Sequence, residues 1–362
     1  MNNKIINFAI IGCGRIAGHH CRAILNLNDA RLVAVCDLDS QKTKNYADEF
    51  SVKSYLDFNK MLTENKNIDV VAIITPSGMH YEHALKIIRE YKKNIIIEKP
   101  TFLKSSHFNE IEKNSKIENV KIFPVFQNRH NNAVQRVKTA IVSKELGKIN
   151  LVSVRVRWCR PQRYYDLAPW RGTFAMDGGC LTNQGIHHLD LMRYLGGEID
   201  KVNATMRTMG ANIEVEDTVV GTVQYIDKSI GTVEVTTSAR PDDFEASISI
   251  VGSKGLAQIG GIAVNELQIF TPQPSDCEKF SEDFSGNVYG NGHLKIYKEI
   301  VNDLNDKESF SISNDDAKKT VELLNAFYVS NETQKTTDLS EKKDSINLGK
   351  DDENLSKLYT YK

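Results

Sequence analysis

The chain lacks the features that would assign it to a membrane or to nucleic acid. No apolar run among its 362 residues approaches the ~20 that a membrane-spanning helix needs, and the residues after Met1 run directly into a predicted strand. We therefore expect neither a signal peptide nor a membrane partner. The formal net charge of -1 excludes the global positive field that binding nucleic acid would require.

Cysteine spacing of the kind used for disulfides or zinc is also missing. The six cysteines include no CxxC pair, and several fall in predicted strands or helices as small apolar residues. This usage suits a reducing compartment, so we expect a cytoplasmic protein. We expect no metal site, because His187, His188 and Asp190 are too close in sequence to converge on zinc unaided.

A glycine turn between a strand and a helix is the first positive signal. Gly12, Gly14, Arg15 and Ile16 follow an apolar strand and lead into a helix predicted over 17–27. Gly12 allows a tight turn, Gly14 lets the backbone approach a pyrophosphate, and the helix N-terminus attracts the anion. The turn predicts dinucleotide binding; a glycine-rich turn without a ligand is the alternative.

An acidic residue ends the next strand, predicted over 32–36. Asp37 lies at about the spacing at which a carboxylate accepts hydrogen bonds from the adenosine ribose hydroxyls. It would repel a 2′-phosphate, and no basic residue follows until Lys42. The predicted cofactor is therefore NAD rather than NADP.

Strands and helices alternate through the first third of the chain. Apolar strands are predicted at 5–11, 32–36, 70–74, 94–97 and 120–125, with amphipathic segments such as 80–91 and 105–116 between them. This pattern predicts an α/β fold, with a doubly wound parallel sheet of Rossmann type over residues 1–125 and ligands at the carboxyl ends of its strands. Two of those ends carry unusual chemistry: Thr75 to His80, and Glu98-Lys99-Pro100 with a proline that could be cis.

The pattern changes from residue 126 onward. A helix at 133–143 precedes alternating strands at 151–158, 202–207, 218–225, 230–237, 246–251 and 267–270, with later helices at 292–304 and 315–328. We predict an α+β domain over 126–330, with a large, mostly antiparallel sheet that serves substrate binding and oligomerisation. Residues 331–362 are predicted to form a polar C-terminal arm across a surface or a neighbouring subunit, with disorder as the alternative.

Catalytic candidates follow the paired glycines after Asp177. If the segment enters a helix, Asn183 and His187 lie one turn apart on the same face. Histidine can take the proton of an alcohol as hydride leaves the same carbon. We interpret the adjacent His188 as a core residue.

Five arginines crowd into one region: Arg155, Arg157, Arg160, Arg163 and Arg171. Guanidinium groups bind phosphates and carboxylates bidentately, so the cluster favours a charged, phosphorylated sugar over a neutral polyol. For each arginine the alternative is a solvated strand face paired with acidic neighbours. Trp170 could stack on a uracil or sugar ring, with packing as its alternative.

These motifs together resemble the Gfo/Idh/MocA (glucose-fructose oxidoreductase/inositol dehydrogenase) family over nearly the whole chain. The resemblance rests on the Gly12 turn, Glu98-Lys99-Pro100 and Gly178-Gly179…Gly185-x-His187-x-x-Asp190. Within the family, residues 126–129, 155–165, 169–173 and 182–188 resemble the branch that oxidises C3 of UDP-N-acetylglucosaminuronic acid for surface-polysaccharide synthesis.

The resemblance implies that Lys99 touches the reacting hydroxyl and that His187 handles its proton. Many relatives carry aspartate where this chain has Asn183, and asparagine cannot exchange protons at neutral pH. We therefore interpret Asn183 as a hydrogen-bonding residue that positions its neighbours, within a catalytic set of Lys99, His187 and Asn183.

The remaining site predictions follow from the same reading. Cofactor contacts are predicted at Gly12, Gly14, Arg15, Ile16, Asp37, Thr75, His80, Glu98, Lys99 and Gln127, and substrate contacts at Arg157, Arg163, Trp170, Arg171, Asn183 and His187. The expected partners are NAD, a UDP-sugar and further copies of the chain in a homodimer or homotetramer. A second substrate that reoxidises NADH stays open. The alternatives are an inositol or another nucleotide sugar as substrate, or a non-catalytic NAD-binding sensor or scaffold.

Overall fold

The first domain is built on a parallel sheet. The structure, a computed structural model, describes residues 4–284 and 289–361, so the predicted domain start at 1–3 and the arm's last residue, 362, lie outside the described residues. The strands are β1 Ile6–Ile11, β2 Ala30–Cys36, β3 Lys53–Tyr55, β4 Val70–Ile73, β5 Asn94–Ile97 and β6 Ile122–Pro124. In the described chain their order is β3-β2-β1-β4-β5-β6 with every pair parallel. The order reverses between β1 and β4, where ligands of such sheets bind.

Helices cover both faces of this sheet. They are α1 Ala17–Leu25, α2 Ser40–Phe50, α3 Phe58–Glu64, α4 His80–Lys86, which a π-helical turn at Ile87–Tyr91 continues, and α5 His107–Glu118. In β1, Phe8 and Ile10 pack with α1, whereas Ala9 and Ile11 pack with α3 on the opposite face. The predicted doubly wound sheet of Rossmann type is confirmed.

The second domain is built on a larger mixed sheet. Its strands are β7 Ile149–Arg157, β8 Ile199–Arg207, β9 Thr218–Tyr225, β10 Ile230–Thr236, β11 Glu245–Gly252, β12 Leu256–Gly260, β13 Glu266–Phe270 and β14 Thr337–Asp338. Their order over the described residues is β13-β12-β11-β7-β10-β9-β8-β14. The sheet is mostly antiparallel, as predicted, but β7 and β10 run parallel. The long connection between them allows this crossover.

Helices of the second half are α6 Asn132–Val142, α7 Gln162–Tyr165, α8 Cys180–Asn183, α9 Ile186–Gly196, α10 Asp276–Phe280, α11 Gly292–Leu304, α12 Asn314–Thr333 and α13 Glu353–Lys357. Asn183 ends α8 and Ile186 begins α9, so the single helix expected through Asn183 and His187 is broken at Gln184 and Gly185. Across residues 4–284 and 289–361, no helix has both the length and the apolar composition that crossing a bilayer requires.

One face of the large sheet carries α9 and α12. In β7, Val152, Val154 and Val156 are buried on this face, and the residues between them point the opposite way. Arg155 and Arg157 therefore lie on the face that these helices do not cover.

Helix α11 packs on the first sheet, although we assigned residues 126–330 to the second domain. Its buried residues Ile296, Tyr297 and Ile300 join the core formed by β1 and α1, and the Tyr297 ring lies edge-on to Phe8 at 5.3 Å. The apolar side of α11 thus completes one face of the first domain, and the chain crosses between the two domains more than once.

Much of the predicted arm contacts the first domain of the same chain, whereas β14 within it joins the large sheet of the second domain. Asp344 accepts hydrogen bonds from Ser105 and Ser106, and Leu355 packs beside Met79. Further along, the Tyr361 ring packs edge-on against Phe58 at 4.8 Å. These contacts bring the last described residues to the carboxyl end of β2.

Candidate active site

The glycine turn lies at the point where the strand order of the first sheet reverses. Gly12 has a φ of 97°, and a Cβ there would lie 2.4 Å from the carbonyl oxygen of Ile74. A Cβ on Gly14 would meet no atom within 4 Å, so the backbone borders open space. Arg15 is exposed and Ile16 half-buried where α1 begins. This turn and the adjacent helix N-terminus fit a dinucleotide pyrophosphate.

Asp37 is fixed beside that turn by backbone hydrogen bonds. Its Oδ2 accepts from the Cys13 N–H at 2.8 Å, and its Oδ1 accepts from the Asp39 N–H at 2.9 Å. Each carboxylate oxygen retains a further lone pair for a ribose hydroxyl. The residues present therefore fit NAD at both its pyrophosphate and its adenosine ribose.

The side chain of Lys99 reaches from the first domain to the second. It follows β5, immediately before a cis peptide bond to Pro100. Its Nζ donates to the backbone carbonyl oxygen of Asn183 at 2.8 Å and lies 3.5 Å from the Asn183 Oδ1. Burial lowers the pKa of Lys99, whereas the carboxylates of Glu98 and Asp177 oppose the shift.

His187 lies at the start of α9, close to Lys99. Its Nε2 is 3.3 Å from the Gln127 Nε2, and its Nδ1 is buried without a hydrogen-bond partner among the described residues. Burial, together with the charge of Lys99, holds the pKa of His187 well below its usual value. The imidazole is therefore neutral near pH 7 and able to accept a proton.

His188 occupies a different environment from its neighbour. It is 1% exposed, and burial lowers its pKa to about 4. Neither of its ring nitrogens has a partner within the described part of the chain, and its ring lies near Trp158. This placement fits the core role that we predicted for His188.

A buried cluster behind Lys99 was missed by the sequence analysis. Glu98 Oε1 lies 3.0 Å from His20 Nε2 and 3.3 Å from His293 Nε2, while Oε2 accepts from the Lys99 N–H at 3.0 Å. Burial alone would raise the pKa of Glu98, but hydrogen bonds from the two histidines hold it well below its usual range. Two histidines and a carboxylate are also a metal-ligand set. Here these ligand atoms are engaged with one another, so the cluster ties α1, β5 and α11 together behind Lys99.

Three residues predicted to bind the cofactor are buried, with their side chains engaged within the protein. Both carboxylate oxygens of Glu98 are paired, as described above. His80 is fully buried, and its ring nitrogens lie 2.9 Å from the carbonyl oxygens of Thr75 and Pro100. Gln127 is buried against His187. Because these side chains are held within the protein, they fit a role in positioning the strand-end turns and His187. Thr75 itself is half-buried at the end of β4.

Arg171 is oriented by aromatic side chains close to Lys99. Its guanidinium lies 4.4 Å from the Tyr164 ring centre and 4.5 Å from that of Trp170, and its Nη1 donates to the Tyr164 hydroxyl at 2.6 Å. Its Nε is buried and has no partner in the described chain. Its charge contributes to lowering the pKa of both Lys99 and Asp177. An oriented guanidinium with an unused donor suits an anionic ligand.

Arg157 lies on the face of the large sheet that α9 and α12 do not cover. Its Nε donates to Glu234 Oε1 at 2.5 Å and its Nη2 to Glu234 Oε2 at 2.9 Å, while Nη1 is 3.4 Å from Glu245. Arg155 also pairs with Glu245. The structure thus favours the alternative that we gave for these arginines, a strand face paired with acidic neighbours. Arg163 is exposed on α7.

The sequence analysis also missed Asp177 and Tyr361 as site residues. Asp177 is buried beside Asn183, and an acidic residue directly before paired glycines could have signalled it. Tyr361 lies beside Cys36 and Asp37, and burial raises its pKa. No local pattern connects Tyr361 with the end of β2.

Fold and site together define a class of enzyme. A dinucleotide cradle adjoins a lysine and a neutral histidine that lie close together, and this arrangement suits removal of a hydride and a proton from an alcohol. A family model described as "Oxidoreductase family, NAD-binding Rossmann fold" matches residues 6–126, and one for the "GFO/IDH/MocA C-terminal domain" matches residues 134–258. The chain belongs to the Gfo/Idh/MocA family of NAD-dependent oxidoreductases.

Named relatives agree with this assignment. The chain is 23% identical to the myo-inositol 2-dehydrogenase of Thermotoga maritima over 93% of its own length and 99% of that protein. It is 24% identical to the D-glucoside 3-dehydrogenase of Escherichia coli, covering 92% and 97% of the two chains. The protein is accordingly an NAD-dependent dehydrogenase of the sugar and polyol group.

A solved structure extends the similarity. The WlbA dehydrogenase of Bordetella pertussis, in complex with NADH and UDP-GlcNAcA, is 32% identical with a TM-score of 0.88, and the match covers 93% of this chain and 99% of that one. WlbA from Chromobacterium violaceum, in the same kind of complex, is also 32% identical, with a TM-score of 0.85 over 93% and 97% of the two chains.

Proposed function

We propose that this enzyme uses NAD to oxidise the C3 hydroxyl of UDP-N-acetylglucosaminuronic acid to the 3-keto sugar, for the synthesis of surface polysaccharides. The main observation behind this proposal concerns Arg171. Its buried Nε has no partner among the described residues, and its charge contributes to lowering the pKa of Lys99. Such a guanidinium suits the carboxylate or the diphosphate of this substrate. The two WlbA structures, which contain UDP-GlcNAcA, support the choice.

The proposed mechanism divides the work between two side chains. The Lys99 ammonium stabilises the negative charge that develops on the C3 oxygen, and His187 accepts the hydroxyl proton. NAD, held by the Gly12 turn and Asp37, would supply the acceptor for the hydride of C3. The carbonyl oxygen of Asn183 keeps the Lys99 Nζ in place at 2.8 Å.

A substrate panel tests the proposal. Purified protein is mixed with NAD and, separately, UDP-GlcNAcA, UDP-GlcNAc, UDP-glucuronic acid and myo-inositol, and NADH absorbance is followed. We expect UDP-GlcNAcA to react fastest, and UDP-GlcNAc, which lacks the carboxylate, to show how much that group contributes. Both the rate and the final amplitude of the NADH absorbance are recorded. If the enzyme retains NADH, the reaction would stop after one NADH per enzyme until a second substrate reoxidises it.

The same panel separates the alternatives. Oxidation of myo-inositol or of a different UDP-sugar in preference to UDP-GlcNAcA would replace the proposed substrate within the same chemistry. NAD binding without turnover of any compound would favour a sensor or scaffold. The cytoplasmic location and the homodimer or homotetramer stay predictions, and light scattering on the purified protein tests the second.

A further inference from the structure

A buried carboxylate contacts the amide of Asn183. Asp177 is 2% exposed; its Oδ1 accepts from the Asn183 Nδ2 at 2.5 Å, and its Oδ2 accepts from the Gly172 N–H at 2.8 Å. Because the Asn183 Nδ2 donates to Asp177, the amide oxygen points toward Lys99 and lies 3.5 Å from its Nζ. The carboxylate therefore orients the amide.

The turn that places Asp177 here depends on the two glycines that follow it. Gly178 has a φ of 67°, and a Cβ there would lie 2.4 Å from the Thr182 hydroxyl oxygen. A Cβ on Gly179 would lie 2.0 Å from the Glu216 carboxylate. The paired glycines thus fix Asp177 against α8, which carries Asn183.

Asp177 also balances the buried charge of Lys99. Burial lowers the pKa of Lys99, the carboxylates Glu98 and Asp177 raise it, and Arg171 lowers it. Glu98 already accepts hydrogen bonds from two histidines, so its negative charge also serves those two side chains and not Lys99 alone. Burial raises the pKa of Asp177 to about 6, which leaves it ionised at pH 7. Other titratable groups facing this pair are His187, next to Lys99, and Tyr164, Tyr165 and Glu216, next to Asp177.

We propose that Asp177 is a positioning residue for the dehydrogenation: it holds the Asn183 amide with its oxygen toward Lys99 and supplies the negative charge that keeps the Lys99 ammonium protonated. The inference rests on the proposed function only through the role of Lys99 at the reacting oxygen. Many relatives carry a carboxylate at the position of Asn183; in this chain we assign that carboxylate to Asp177.

The first test is the pH profile of kcat. Asp177→Asn keeps the side-chain size and removes the charge, so the ammonium of Lys99 loses its proton more easily. We expect kcat at pH 7 to fall about tenfold and the basic limb of the profile to move down by about one pH unit, with NAD affinity unchanged. Asp177→Asn with Asn183→Asp returns a carboxylate to the site and is expected to move the basic limb back.

A matched control separates charge from packing. Glu216 is another buried carboxylate of this region; it accepts from the Leu181 N–H and the Tyr328 hydroxyl and makes no bond to Asn183 that the structure shows. Glu216→Gln should lower thermal stability and leave the basic limb unchanged. A wild-type profile for Asp177→Asn, an equal shift in Glu216→Gln, or a double variant that behaves like Asp177→Asn would each overturn the proposal.

A second readout needs no substrate. The rate at which acetic anhydride labels Lys99, followed by mass spectrometry over pH, reports the fraction of free amine. Labelling should extend to lower pH in Asp177→Asn than in the wild type. If it does so while UDP-GlcNAcA is not oxidised, the substrate assignment fails and the role of Asp177 stands; unchanged labelling in an active enzyme overturns the role instead.

Discussion

The Lys99 ammonium donates a 2.8 Å hydrogen bond to the backbone carbonyl oxygen of Asn183 and a longer one, at 3.5 Å, to the side-chain oxygen of the same residue. A backbone acceptor persists when the side chain of Asn183 is changed, so the reactive cation stays anchored to the second domain in such variants. The position of Lys99 and the orientation of the Asn183 amide can therefore be tested separately.

Replacing either member of the catalytic pair should abolish most turnover. We expect Lys99→Ala and His187→Asn each to reduce kcat by ~10²–10⁴-fold, because each removes a charge-stabilising or proton-accepting group. NAD affinity, measured by fluorescence titration, should change little. His188→Leu is the control, since His188 is 1% exposed in the core, and it should retain kcat. A normal kcat in His187→Asn would require another base.

Cofactor choice should depend on Asp37. Asp37→Ala removes the acceptor for the ribose hydroxyls and also leaves the Cys13 N–H without the bond it donates at 2.8 Å. We expect weaker NAD binding, by about tenfold, and a smaller preference for NAD over NADP. Titration of both cofactors into both proteins measures this. Equal affinities of the unmodified protein for the two cofactors would contradict it.

Two of the three arginines that we predicted to contact substrate, Arg171 and Arg157, should behave differently. Arg171→Ala is expected to raise the KM for UDP-GlcNAcA by at least about tenfold, because it removes an oriented guanidinium with an unused donor. Arg157→Ala should leave this KM unchanged and lower stability by about 1 kcal/mol, since Arg157 is paired with Glu234 on the far face of the sheet. Comparable KM increases in both variants would place the substrate differently.

Stability should fall on mild acidification, in part because of His188. Burial lowers its pKa from 6.5 to about 4, so between these values the unfolded chain binds a proton that folded His188 does not. The full shift corresponds to about 3 kcal/mol, lost as pH falls through this window. His188→Leu should reduce the slope of unfolding free energy against pH between 4 and 6.5, with little change above pH 7. A slope identical to that of the wild type would show that other groups govern the loss.

Local patterns predicted the parts of the site that are local in sequence. The Gly12 turn, Asp37 and Lys99 each follow a strand whose apolar run marks its carboxyl end. Glu98 was visible, but its partners His20 and His293 are 78 and 195 residues away, so neither spacing nor periodicity connects them. Arg155 and Arg157 lie two residues apart on β7 and so share a face of the sheet, but which face the helices cover depends on packing that the strand alone does not reveal.

The position of α11 has a consequence for the order in which the chain can fold as it is synthesised. Tyr297 and Ile300 complete the core around Phe8, which leaves the ribosome nearly the whole chain earlier. N-terminal domains generally fold first during synthesis. Here the core of the first sheet is incomplete until α11 has left the ribosome. The apolar face of that sheet beside α1 therefore stays exposed to solvent while the second domain is synthesised.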